Sequence, residues 1–72
     1  MQEFISFVSK VMGVSPEILN ENTAYGTIDQ WDSLMHMRLV MEIEEEYDVE
    51  IPIDEITDIK TIKDFYQYAN GQ

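Results

Sequence analysis

From Ser33 to about Tyr47 the apolar residues keep the period of a helix, and this segment limits what the chain can fold into. Leu39, Ile43 and Tyr47 recur every four residues, with His36 and Val40 on their flanks. That stripe suffices to face a core. Leu34, Met37 and Met41 make a second ridge at i, i+3 and i+7, rotated away from the first. A small helical domain can hardly bury both ridges. The second ridge either packs under the preceding loop, against Ile28 or Trp31, or is presented to partners. We favour presentation, because the ridge starts at the same turn as Ser33 and methionine adapts to several partner shapes.

The remaining elements follow from caps and stops. Phe4, Phe7, Val8, Val11 and Met12 recur at helical spacing, and Gly13 ends that run. Ser15-Pro16-Glu17 reads as an N-cap followed by proline at the first helical position, opening one short turn through Leu19. Residues 20–32 form a connection with no convincing element, and a loop that long in a small domain tends to be functional. Val49-Glu50-Ile51 reads as extended, since Pro52 keeps the residue before it out of the helical region. Asp54 is expected to cap a short turn through about Thr57. Thr61-Ile62-Lys63-Asp64 resembles a capping box with Asp in place of Glu. The helix it opens should turn Ile62, Phe65, Tyr66 and Ala69 inward and end near Gly71. Strand signal is confined to residues 49–53, too little for a sheet. The expected fold is an all-α bundle of three main helices plus short turns.

Composition narrows the function. Seventy-two residues with 44% hydrophobic content make one small domain with a modest core. No cysteine is present, so there is neither a thiol nucleophile nor a thiolate metal site. No apolar run is long enough to span a bilayer and no signal peptide is recognisable, so a cytoplasmic, monomeric protein is expected. Net charge is −11, from 15 acids against Lys10, Arg38, Lys60 and Lys63. Nucleic acid and anionic membrane are therefore poor partners. The acids cluster from Glu42 to Asp58 with no basic residue between them. Such a block is either a solvated face or a means of steering toward basic partners.

Catalytic and metal chemistry find little support. His36 is the only histidine, so no histidine pair can hold zinc, and carboxylates alone are poor zinc sites. It follows Ser33 by one helical turn, yet a Ser–His nucleophile also needs an oxyanion site and an enclosed pocket. We read His36 as a helix-face residue edging the core. The acids lack the alternation and central glycine of an EF-hand loop. What remains is Asp32-Ser33-Leu34. A helix N-terminus offers unpaired N–H groups and the positive end of the dipole, so a serine there can carry a phosphate-linked group. The plain alternative is Asp32 as N-cap and Ser33 as first-turn filler.

The stretch Trp31-Asp32-Ser33-Leu34, then Leu39-Val40-Met41-Glu42-Ile43-Glu44-Glu45-Glu46-Tyr47, then Ile51-Pro52 resembles the acyl carrier proteins. Ile59-Lys60-Thr61-Ile62 also matches the family's segment before its last helix. The resemblance spans essentially the whole chain, residues 1–72 as one acyl carrier domain. It implies a four-helix bundle with a very short third helix and a long loop between the first two. It implies 4'-phosphopantetheine on Ser33, attached from coenzyme A by a phosphopantetheinyl transferase, with acyl groups carried as thioesters. Asp32 and Leu34 flank the attachment point. Asp32 is then either a cap or a contact near the transferase's metal ion. Acyl-loading and acyl-using enzymes would dock on Leu34, Met37, Arg38, Met41, Glu42 and Glu45. The protein would be a substrate and shuttle rather than a catalyst.

Two positions depart from the fatty-acid type. Those carriers usually have an acid directly after Asp-Ser-Leu and another three residues on, where this chain has Met35 and Arg38. The form Trp31-Asp32-Ser33-Leu34-x-His36 is similar instead to stand-alone carriers of specialised pathways, such as polyketide, sugar or exopolysaccharide assembly. The alternatives are a fatty-acid carrier and an unmodified acidic adaptor with the carrier fold.

Overall fold

The computed structural model describes residues 1–70. Three α-helices carry the architecture: α1 (Gln2–Met12), α2 (Ser33–Tyr47) and α3 (Ile62–Ala69). Two 3-10 segments, Pro16–Ile18 and Ile53–Asp58, lie in the connections. The second stands where the resemblance put a very short third helix. No strand occurs among the described residues, and the extended reading of residues 49–51 gives only irregular chain.

Local signals act as the sequence suggests. Gly13 takes the left-handed conformation, φ 74°, and its N–H returns to Ser9 O to close α1. A side chain at that φ is strained, which is why glycine serves as the stop. Ser15 caps the Pro16–Ile18 turn through the Glu17 N–H. The Thr61 hydroxyl accepts from Asp64 N–H at 3.2 Å, and Asp64 Oδ2 accepts from Thr61 N–H, completing the capping box. Helix α3 closes on Asn70, so the expected end near Gly71 lies outside the described residues.

One cap is corrected. Asp54 does not open the 3-10 segment; Pro52 is its N-cap, the segment runs to Asp58, and no side chain caps it. Proline's fixed φ turns the chain on its own, which leaves Asp54 as an exposed first-turn acid.

The core collects Phe4, Val8 and Met12 from α1, Leu39, Val40 and Ile43 from α2, and Ile62 and Phe65 from α3. Leu19, Trp31, Ile51, Ile56 and Ile59 close it from the connections. Two aromatic clusters mark the ends of α2. At its C-terminal end Phe4 and Phe7 each meet Tyr47 at 5.6 Å between ring centroids, and Phe4 meets Tyr66 at 5.3 Å. At its N-terminal end Trp31, His36, Phe65 and Tyr25 gather around the start of the helix.

The connection 20–32 has turns but no helix, and backbone bonds fasten it to the start of α3. Tyr25 N–H donates to Lys60 O at 2.7 Å, Ile62 N–H to Thr23 O at 3.1 Å and Lys63 N–H to Glu21 O at 2.9 Å. An isolated antiparallel bridge pairs Ala24 with Thr61.

Candidate functional site

The site is built from the first turn of α2. Asp32 has extended backbone, and its Oδ1 accepts the Met35 N–H at 2.9 Å, so it is the N-cap. Ser33 is the first helical residue and is exposed. Its N–H and that of Leu34 belong to the first turn, which has no intrahelical acceptors, and the positive end of the 15-residue helix points the same way.

Beside Ser33 lies a groove of about 250 Å³, lined on the α2 side by Ser33, His36 and Met37. Its other walls come from Tyr25 and from Ile56, Thr57, Ile59 and Lys60. None of those wall residues entered the expected site. They lie up to 27 positions from Ser33 in sequence, in the irregular loop 20–32, the second 3-10 segment and the short link from it to α3. Only tertiary packing brings them together. Met37, expected on the docking ridge, lines the groove as well.

His36 does more than edge the core. It is 8% exposed, and the Trp31 Nε1–H donates to its Nδ1 at 3.0 Å. An indole N–H can only donate, so Nδ1 accepts and Nε2 holds the proton. That Nε2–H donates to the Ile56 carbonyl, also at 3.0 Å. Both ring nitrogens are thus committed, and His36 has no lone pair left to serve as a base for Ser33. A signal for the pairing was present in the sequence: an indole donor five residues before a lone imidazole. Its meaning needed the Ile56 carbonyl, twenty residues further on.

The second ridge of α2 faces outward. Leu34 is 80% exposed, Met41 60% and Met37 44%. Neither Ile28 nor Trp31 covers it: Trp31 is 1% exposed, within the core. Arg38 and Glu42 form an i, i+4 ion pair at 3.9 Å, with the Arg38 side chain 58% exposed and that of Glu42 41%. Such a pair contributes little to stability. Glu45 is exposed. Glu44 belongs to the acid run yet has a structural task, because its Oε2 accepts the Ile51 N–H at 2.8 Å and ties the end of α2 to the next segment. Among the described residues, no three histidine or carboxylate side chains gather closely enough to hold a metal ion.

Residues 2–69 match the family described as "Phosphopantetheine attachment site". The chain belongs to this family. The group its members carry is 4'-phosphopantetheine, held covalently, and the chain is an acyl carrier rather than an enzyme. It is similar to the acyl carrier protein of Rickettsia canadensis (strain McKiel), with 36% identity over 67 residues, covering 93% of this chain and 78% of the relative. The acyl carrier protein of Rickettsia rickettsii (strain Iowa) matches to the same extent. That of Syntrophobacter fumaroxidans (strain DSM 10017 / MPOB) is 34% identical over 68 residues, covering 92% and 82% respectively. The all-helical architecture, with three main helices and a short one before the last, agrees with this membership. No described helix is long and apolar enough to cross a membrane.

Proposed function

We propose that Ser33 is the attachment point of the phosphopantetheine arm and that residues 1–72 form one carrier domain for a specialised biosynthetic pathway. One observation carries the first part: an exposed serine stands at the first position of α2, on the rim of a groove, behind an Asp32 cap. The residues present fit the group. The first-turn N–H groups of Ser33 and Leu34 and the helix dipole favour a phosphodiester. The mainly apolar groove gives the arm a surface to lie on. Bound there, the arm supplies a thiol that the chain, lacking cysteine, does not have, and acyl groups ride on it as thioesters. His36 is spent on Trp31 and Ile56, so activation of the Ser33 hydroxyl falls to a separate phosphopantetheinyl transferase. The Asp32 cap uses Oδ1, and the residue is exposed, so its carboxylate is accessible to that enzyme's metal ion.

The pathway reading rests on the opening of α2. Met35 and Arg38 stand where fatty-acid carriers usually have acids, and acid resumes only at Glu42. Leu34, Met37, Arg38, Met41, Glu42 and Glu45 form the docking surface for acyl-loading and acyl-using enzymes. Its apolar ridge is already in solvent before any partner arrives.

The test is intact-mass analysis after co-expression with a broad-specificity transferase. The wild type is expected to gain one phosphopantetheine. Ser33→Ala is expected to gain none while losing no more than about 1 kcal/mol of stability, the scale of a helix-terminus hydroxyl. An unmodified wild type would make the chain an acidic adaptor, and a modified Ser33→Ala would move the site elsewhere.

A further inference from the structure

Of the four basic residues in this chain of net charge −11, only Lys60 lines the groove beside Ser33. Lys10 lies in the last turn of α1, Lys63 is an exposed residue of α3, and Arg38 is paired with Glu42. The Arg38–Glu42 contact is the only ion pair among the described residues, so the Lys60 ammonium has no carboxylate partner among them. Asp64 engages the backbone instead: its Oδ2 accepts the Lys60 N–H at 2.9 Å and the Thr61 N–H at 3.2 Å. The Lys60 carbonyl accepts the Tyr25 N–H at 2.7 Å, so the backbone that carries the cation is held on both sides. The ammonium donates to the Thr57 carbonyl at 3.1 Å, and Thr57 lines the same groove. One neutral carbonyl uses one of the three ammonium donors. The position also opposes local preference. Lys60 directly precedes Thr61, the N-cap of α3, where the helix dipole favours an acid. A residue kept against its local preference points to a task outside the helix.

We propose that the Lys60 ammonium is the cationic contact for the phosphodiester of the arm. This rests on attachment at Ser33. The phosphodiester adds a negative charge beside the Asp32 carboxylate, in a chain already strongly acidic. The first turn of α2 answers that charge only in part. Asp32 Oδ1 takes the Met35 N–H and Asp32 O takes the His36 N–H, which leaves the N–H groups of Ser33 and Leu34. Those are partial charges, whereas Lys60 supplies a whole one. An ammonium binds a phosphate oxygen as a point charge without a fixed fork geometry. The contact therefore steadies the anchored end of the arm without fixing its far end. Lys60 is a binding residue for the prosthetic group, contributed by the link before α3 and not by the Asp32-Ser33-Leu34 motif.

The experiment compares apo and holo forms of the full chain as wild type, Lys60→Met, Lys60→Arg and Lys63→Met. Holo protein is made with a broad-specificity transferase and coenzyme A and confirmed by intact mass. The readouts are the phosphorus NMR resonance of the phosphodiester and the change in Tm on loading. Lys60→Met and Lys63→Met carry the same net charge, so a difference between them is local. The Lys60 side chain is exposed and its backbone bonds are kept, so Lys60→Met should fold. In Lys60→Met the phosphorus resonance should leave its wild-type position. The Tm change on loading should be less favourable by roughly 1–5 degrees, the scale of one exposed ion contact in a domain this size. Lys60→Arg and Lys63→Met should behave as wild type, and the Lys60→Met difference should fade at high salt. Equal phosphorus shifts and equal loading effects in Lys60→Met and Lys63→Met overturn the contact while leaving attachment intact. A Lys60→Met that lowers Tm equally in apo and holo forms also overturns it, and confines Lys60 to the Thr57 carbonyl. If millimolar inorganic phosphate gives the apo protein the same Lys60-dependent stabilisation, the site takes a free anion and the assignment to the arm fails. Absence of any mass gain in the wild type overturns attachment and this inference with it.

Discussion

His36 shows how much one residue's role depends on its partners. A buried imidazole needs both nitrogens satisfied. The indole on one side and a carbonyl on the other do so while fixing the tautomer. The same pairing removes His36 from chemistry at Ser33. Tyr68 shows the coupling of one side chain to pH. Its hydroxyl donates to Glu55, which binds α3 to the Ile53–Asp58 segment. That hydrogen bond, then partial burial and the negative charges of Glu55, Asp58 and Asp54, push the phenol up to about 12 from its ordinary 10. The raised value means the folded state favours the protonated phenol. Its contribution is therefore complete below pH 10 and lost as pH rises through about 12. Tyr68→Phe should lower Tm slightly at neutral pH and flatten the alkaline decline between those values. A tyrosinate absorbance titration should lose its latest phase in the variant. An unchanged titration would show that the Glu55 bond does not hold the proton.

Helix α2 carries two faces with different tasks. Ile43 is fully buried, whereas Met41 is mostly in solvent. Ile43→Ala should cost about 2–5 kcal/mol in denaturant unfolding. Met41→Ala should stay within about 0.5 kcal/mol of wild type, while slowing acyl transfer to the native partner. A larger stability loss from Met41→Ala would reverse the face assignment. Arg38 sits on the outward face and is only loosely held by Glu42. A single basic residue among acids can exclude a competitor at little expense to stability. Arg38→Glu is therefore expected to improve turnover with a generic fatty-acid elongation enzyme and reduce it with the native one. Acyl-transfer rates with both enzymes, measured side by side, check this. If wild type already serves the generic enzyme as well as the mutant does, the fatty-acid reading regains the lead.

Across the whole molecule the charge is lopsided. Fifteen acids face four basic residues, and the run from Glu42 to Asp58 has no cation of its own. Part of that run is structural: Glu44 holds Ile51 N–H and Glu55 holds Tyr68. The rest repels itself. Moderate salt or millimolar divalent ions should raise Tm by screening that repulsion. The same salt should slow association with a basic partner. Thermal melts and stopped-flow association over one salt series test both effects. A Tm that falls with salt would mean that the surface pairs, not the repulsion, dominate.

The sequence by itself determined the elements that local chemistry dictates. Gly13 as a left-handed stop, Ser15-Pro16 as a helix start, Asp32 as a cap and the Thr61–Asp64 box each involve residues within a few positions of one another. The stripe of Leu39 and Ile43 was legible for the same reason, since helical period fixes which residues share a face. The motif around Ser33 was legible too, and the fold leaves that serine exposed at the first position of α2. The 3-10 segment was misplaced at its start because Pro52, rather than a capping side chain, turns the chain there. Tertiary structure alone decided the rest. Two apolar ridges competed for one core, and only the packing of α1 and α3 against α2 left Leu34 and Met41 outside. The groove needed loop 20–32 fastened to the start of α3 by backbone bonds, which no side-chain pattern encodes. The role of His36 needed a carbonyl twenty residues away. Local periodicity specifies what a segment can bury, while the choice among burial partners is a long-range free-energy balance that exists only once the chain has folded.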